Sequence, residues 1–461
     1  MQRMFLAAAI AAALLPVNAV AQEERPAYVR ALAAGYKAAF VCSNLFNGGL
    51  SEEQTEADDL RGTYSSLNAL FATMPASVDR QRRAVFVPYD ETMPPRIAAW
   101  RPSLGCAQLP IGATHDAVDT LPRMNVTPPD LDALPWPMGD RNAAAPPQGD
   151  AAALQHIVAD AFDGRTYGQG SETTAVLIVQ NGRIVNERYR ADLNMHSSQR
   201  TWSVAKSIAG TVVGAAVQQK LIDVDSAAPV PEWQRPGDPR QRITTDQLLR
   251  MTSGLHSDHA GNRTDVLYFG GVAVVDQAAS WPMVAEPATV FRYANNDTVL
   301  AIRGLQHVLG DGEKSLRFPF ESLLWKIGMT RTVPETDWKG HFVMSSQVWT
   351  TARDLARLGL LHINDGVWQG TRILPAGWQD YVRQLGAAQP SEGYGYGATW
   401  WTFPEDSGLP QDAIVARGNR GQHLVVIPSR ELVIVRRGFD GAGINFDLTE
   451  FTRDLLGALP A

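Results

Sequence analysis

Ser203 and Lys206 stand three residues apart in Thr201-Trp202-Ser203-Val204-Ala205-Lys206-Ser207. Three residues along a helix returns a side chain to nearly the same face, so the hydroxyl and the amine point into one space. The run from Ile208 to Val217 is apolar nearly all round, the pattern of a buried helix. Lysine is scarce here; the others are Lys37, Lys220, Lys314, Lys326 and Lys339. An amine forced into apolar surroundings has its charged form disfavoured and can take up a proton near neutral pH. A serine needs such a base to become a nucleophile. Ser-x-x-Lys by itself is a weak motif that arises by chance; its place on a buried helix strengthens it. Gly210 and Gly214, one turn apart, predict a neighbouring element lying close to that helix.

Two downstream groups fit the same chemistry. In Tyr293-Ala294-Asn295, a phenol beside Lys206 can share its proton and pass it to a leaving group, while the amide can hold the lysine. Tyr64-Ser65-Ser66 fits the same loose pattern but precedes the serine helix and is discounted. Arg417-Gly418-Asn419-Arg420-Gly421-Gln422-His423 opens onto the apolar run Leu424 to Ile427. Glycines at the mouth of a strand let the backbone approach a ligand. The N–H groups of Gln422 and Ser203 are then the expected oxyanion donors. The competing reading is an ordinary glycine-containing connection.

Taken as an ordered set, Ser203-Val204-Ala205-Lys206, Tyr293-Ala294-Asn295 and Gly418-Asn419-Arg420-Gly421-Gln422 resemble the serine β-lactamase and penicillin-binding-protein superfamily. Within it the chain is similar to the class C-like branch that holds esterases and 6-aminohexanoate-dimer hydrolases. The Leu-Leu-x-Met-Thr-Ser-Gly-Leu stretch ending at Leu255 resembles a segment of that branch. The resemblance covers about 165 to 461. It implies an antiparallel sheet flanked by helices, a helical domain, and a site between them. It implies Ser203 as acylated nucleophile, Lys206 and Tyr293 as base and acid, Asn295 as their positioner, and no metal or organic cofactor. Penicillin-recognising members carry Lys-Thr-Gly, whose cation holds a substrate carboxylate. The triplet matched to it, Asn419-Arg420-Gly421, lacks that lysine, and Arg420 on a strand points away from Asn419 and Gly421. A small ester or amide without an obligatory carboxylate is the expected substrate. A β-lactamase or D-amino-acid peptidase, or a non-catalytic binder of the same fold, are the competing readings.

Other constellations carry less. His256-Ser257-Asp258-His259 has two imidazoles but no nearby Cys or Glu ligand for a metal. No Gly-x-Ser-x-Gly elbow occurs. His423 is read as flanking the pocket or satisfying a strand. Tyr394, Tyr396, Trp400 and Trp401 are either core or cleft lining.

The elements that must position these groups follow from pattern. Thr174–Gln180, then Asn181-Gly182, then Arg183–Arg190 is a hairpin with the preferred two-residue turn. Gly397–Thr402, Ala413–Gly418, His423–Ile427 and Leu432–Arg437 read as strands, and Phe446–Leu459 as a closing helix. Asp246 to Gly254 reads as a helix capped by its glycine. Strands near both ends with helices between them predict an α+β fold: one antiparallel sheet with a helical insertion at about 240–385. Ahead of it lie an accessory region at 22–125, with a helix from Arg25 to Val41, and a proline-rich linker or strap at 126–150.

Arg3, the apolar run Phe5–Leu15 and Ala19-Val20-Ala21 read as a signal peptide, 1–21, implying a secreted or periplasmic product. The two cysteines, Cys42 and Cys106, then form a disulfide, the alternative being two buried thiols. A formal net charge of -7 without a basic run excludes the electrostatic footprint of nucleic-acid binding.

Overall fold

The hairpin turning at Asn181-Gly182 forms one margin of a seven-stranded antiparallel sheet. In spatial order its strands are Gly395–Tyr396, Trp401–Thr402, Ile414–Gly418, Gln422–Ile427, Leu432–Gly438, Thr173–Gln180 and Arg183–Tyr189. This is a computed structural model, and it describes residues 26–63, 67–257 and 265–459. The expected signal peptide, Tyr64-Ser65-Ser66, and Asp258 and His259 lie outside the described residues.

The central strands are buried on both faces, so they read as near-continuous apolar runs rather than alternating ones. Leu424, Val426, Val433 and Val435 face the helical layer formed by Ala352–Ile363 and, beside it, Val204–Gln218. Val425, Ile427 and Ile434 face the Ala151–Asp160 and Leu448–Ala458 helices through Leu154, Val158, Phe451 and Leu455. Each such side chain contributes about 1.5–3 kcal/mol on burial. The sheet is thereby held between two helical layers, the α+β arrangement expected.

The Val204–Gln218 helix is buried along almost its whole length. A Cβ on Gly210 would stand 2.1 Å from the Thr399 hydroxyl oxygen, and one on Gly214 would stand 2.6 Å from the Trp378 ring. Both glycines are therefore contact points. The helix expected to run to Gly254 stops at Leu249, because Met251 adopts φ 60°. Gly254 is needed for another reason: a Cβ there would lie 2.1 Å from the Ala285 carbonyl oxygen.

In the N-terminal region the Pro26–Ser43 helix packs on a four-stranded antiparallel sheet, Ser77–Asp79, Ala84–Val87, Arg96–Arg101 and Gly105–Gln108. Cys42 and Cys106 are disulfide-bonded. The apolar face of that helix, including Tyr36 and Phe40, belongs to the same continuous core as the Val204–Gln218 helix. The proline-rich segment is a strap: Ala145 N–H donates to the Ile184 carbonyl, and Trp136 Nε1 donates to that of Gly182. No described helix is long and apolar enough to cross a membrane.

Candidate active site

The short strand Gln199–Arg200 pairs with Val348–Thr350 and delivers the chain to Ser203, the N-cap of the Val204–Gln218 helix. Trp202, just before it, is held at φ 50°, a conformation bulky side chains adopt only when packing enforces it. Ser203 N–H precedes the first helical turn, where backbone donors have no intrahelical acceptor. Among the described residues it makes no backbone hydrogen bond.

Lys206 is 1% exposed. Its Nζ lies 3.1 Å from Ser203 Oγ and donates to the Ser345 carbonyl oxygen at 2.8 Å and to Asn295 Oδ1. Asn295 opens the helix Asn295–Leu309, and Tyr293 immediately precedes it. Burial lowers the amine's pKa to about 7, against the opposing charge of Asp297. The partner set decides what a neutral amine can do. Two of its neighbours, a carbonyl and an amide oxygen, only accept hydrogen bonds, whereas the serine hydroxyl can donate. A neutral amine therefore spends its two hydrogens on Ser345 and Asn295 and turns its lone pair to Ser203.

The Tyr293 ring centre is 4.9 Å from Lys206 Nζ. Burial raises the phenol to about 12, partly opposed by the Ser203 hydroxyl and the charge of Arg417. At neutral pH it keeps its proton. The site thus holds a poised base and a retained acid side by side, a separation of roles set by environment. Asp297, buried and accepting from Ser253 Oγ at 2.9 Å, is pushed up to about 7 by desolvation.

Ser203 and Tyr293 open into a cavity of about 240 Å³, lined also by Trp401, Arg417, Gly418, Asn419, His423 and Phe446. A Cβ on Gly418 would stand 2.3 Å from the Thr201 carbonyl oxygen and 3.2 Å from the Ser203 nitrogen, so only glycine admits this approach. The residue brought against Ser203 is therefore Gly418. Gln422, expected there, is 1% exposed and does not line the cavity; its amide donates to the Arg420 carbonyl and accepts from Arg437 Nε. Within the expected motif the close backbone approach is made at Gly418, which pairs with Gln422 across the turn. Arg420 lines the cavity, but its guanidinium is turned away and grips the carbonyls of Asp59, Arg61 and Phe439. Gly421, at φ 74°, also lines the cavity and packs on Arg436 and Asp440.

The region from 158 to 436 matches the family model described as Beta-lactamase. The chain belongs to the beta-lactamase family. It is 27% identical over 300 residues to a 6-aminohexanoate-dimer hydrolase of Paenarthrobacter ureafaciens, covering 57% of this chain and 72% of the relative. Among solved structures it is similar to a Bacillus anthracis protein assigned as a 6-aminohexanoate-dimer hydrolase. That match has a TM-score of 0.56 and 23% identity, over 67% of this chain and 83% of the other. A family VIII carboxylesterase matches with a TM-score of 0.52 and 16% identity, over 66% and 95%. At these identities the structural likenesses are likenesses of fold. The protein is a hydrolase of the β-lactamase fold.

Of the other sequence-level candidates, Tyr396 and Trp400 are core, whereas Trp401 lines the cavity. His423 also lines it, with its Nδ1 buried and unpartnered among the described residues. His256 packs edge-on against Trp281. Sequence reasoning passed over Arg417. Its guanidinium stacks 4.0 Å from the Tyr394 ring centre and forms no ion pair among the described residues. The signal was available: Arg417 opens the glycine-containing motif and directly precedes Gly418, the residue that approaches Ser203.

Proposed function

We propose that this hydrolase opens ester or amide bonds through an acyl-enzyme on Ser203. The observation that carries the reading is the partner set of Lys206, which leaves its lone pair for Ser203. Ser203 Oγ attacks the substrate carbonyl carbon as Lys206 takes the hydroxyl proton. The oxyanion is held by the N–H of Ser203 and by the backbone N–H at the Gly418–Asn419 bend. The Tyr293 phenol gives its proton to the leaving oxygen or nitrogen as the C–O or C–N bond breaks, and Lys206 returns a proton to Tyr293. Water then attacks the acyl ester, giving the acid and free Ser203.

The cavity is small, about 240 Å³, and lined largely by polar residues, which suits a short acyl group. A second reading, a β-lactamase or a peptidase acting on D-amino acids, is favoured by one feature, the unpaired Arg417 in the cavity. That cation could hold a substrate carboxylate in place of the missing lysine. Turnover of p-nitrophenyl esters, short amides and nitrocefin separates the two, with Ser203→Ala as control. Ester or amide turnover abolished in Ser203→Ala supports the first reading; fast nitrocefin turnover with no ester or amide activity reverses the order. Full activity in Ser203→Ala removes both. Export is part of the proposal, supported by the Cys42–Cys106 disulfide, a bond that persists in oxidising compartments.

A further inference from the structure

The N-terminal region lies outside the part of the chain matched by the family, yet it reaches the back of the site. Arg200, buried, packs its guanidinium over two adjoining rings, 4.5 Å from the centre of Phe40 and 4.1 Å from that of Trp202. The two rings also touch each other, with centres 5.7 Å apart. Phe40 comes from the Pro26–Ser43 helix, two residues before the disulfide-bonded Cys42. Trp202 is the left-handed residue that sets the entry of Ser203.

The same guanidinium is one residue removed from a partner of the lysine. Arg200 Nη2 donates to Ser346 Oγ at 2.8 Å, and Ser345, next in the chain, gives Lys206 its carbonyl at 2.8 Å. One cation–π cluster therefore touches both halves of the reactive pair: Trp202 on the Ser203 side, and the Ser345–Ser346 segment on the Lys206 side. One of its two rings, Phe40, is supplied by the accessory region. That region is further tied down by Glu335, whose carboxylate accepts from Ser43 Oγ at 2.7 Å and from Cys106 N–H at 3.0 Å.

We propose that the N-terminal region is a brace for the catalytic pair, and that Phe40 is its positioning residue. The inference rests on the reading of Ser203 and Lys206 given above. Phe40 touches no substrate; it acts by holding Arg200 and Trp202. A misplacement on the order of 1 Å of a reacting group costs up to about 100-fold in rate. Losing the ring should therefore lower kcat and leave the cavity, and so KM, little changed.

The experiment compares wild type, Phe40→Ala and Phe40→Leu in the full-length protein on a p-nitrophenyl ester. The thermal midpoint of each is measured, so that rates are compared on folded protein. The leucine variant keeps most of the volume and loses only the ring face, and it carries the test where the alanine variant does not fold. The expected result is a fall in kcat of about tenfold or more in folded variant, with KM within about twofold. A kcat within about twofold of wild type in folded Phe40→Leu overturns the brace. So does a loss confined to KM. Failure of the underlying reading is visible separately, as wild-type turnover that survives Ser203→Ala.

Discussion

Lys206 Nζ lies 4.9 Å from the centre of the Tyr293 ring, and burial drives the two groups in opposite directions, the amine to about 7 and the phenol to about 12. In the proposed mechanism the neutral amine is the base, so activity should rise with pH through the lysine. The expected kcat/KM profile falls about tenfold per pH unit below pH 7 and levels off above 8. A flat profile between pH 5.5 and 8, on a substrate that does not itself titrate, would remove Lys206 from the role.

Tyr293→Phe keeps the ring against Trp401 and Tyr396 and deletes only the hydroxyl. Because the phenol is the acid of the proposed mechanism, the loss should appear in kcat, by about 10²–10⁴-fold, and be heavier for amides than for activated esters. An amine leaving group needs the proton; p-nitrophenolate does not. Equal loss on both substrate types would mean that the hydroxyl serves binding instead.

Burying Lys206 ties stability to pH. Its folded pKa is about 7 and its ordinary value 10.5, so between these the unfolded chain holds a proton that the folded chain has released. Stability contributed by this group therefore rises with pH across that window and is lost as pH falls to 7. The unfolding free energy of wild type minus that of Lys206→Met should grow by up to about 1.4 kcal/mol per pH unit from pH 7.5 to 9.5. Urea titrations at three pH values suffice; a difference that does not move with pH would mean the amine stays charged.

What could be read from the sequence was local pattern. The Asn181-Gly182 turn and its flanking β-branched runs place a hairpin to within a residue, because turn type and register are set by neighbours in the chain. The Ser203–Lys206 pair is equally local, since helical spacing alone brings the two together. The helix over 245–249 is expected to reach Gly254 because a glycine commonly ends a helix, and a left-handed backbone at Met251 has no signature in composition.

The close approach in the third motif is expected at Gln422 rather than Gly418 for a related reason. Gly418 and Gly421 both mark close approaches, but only the fold reveals that Gly418 meets Ser203 while Gly421 meets the Arg436–Asp440 ion pair. The cluster of Phe40, Arg200 and Trp202 could not be read at all. It joins segments remote in sequence, and nothing in either segment announces the partner.

Gly421→Ala tests the assignment of that second glycine to the scaffold. A Cβ there would lie 1.6 Å from Arg436 Nη1 and 2.2 Å from Asp440 Oδ2, on a backbone at φ 74°. The ion pair behind it is fully buried, and disrupting such a pair costs about 3–5 kcal/mol. The variant should lose at least ~3 kcal/mol in urea unfolding. A loss below ~1 kcal/mol would mean that the connection relaxes freely and that Gly421 is not held against the pair.

The second reading makes Arg417 the residue that sets what the cavity prefers. It is half-buried and lines the cavity with Ser203 and Tyr293; its guanidinium stacks on Tyr394 and has no carboxylate partner among the described residues. A charge-assisted hydrogen bond to a substrate anion is worth about 1.5–3 kcal/mol, or ~10- to 100-fold in kcat/KM. Mono-p-nitrophenyl succinate and p-nitrophenyl butyrate differ chiefly in one carboxylate and share a chromophore. Wild type should favour the succinate, and Arg417→Gln should cut its kcat/KM by about 10- to 100-fold while changing the butyrate by less than threefold. Equal loss on both would point to Arg417 acting through the field it exerts on Tyr293, which it pulls down from an even higher value. The two roles also part in their pH behaviour, because only the second changes the phenol's titration in the free enzyme.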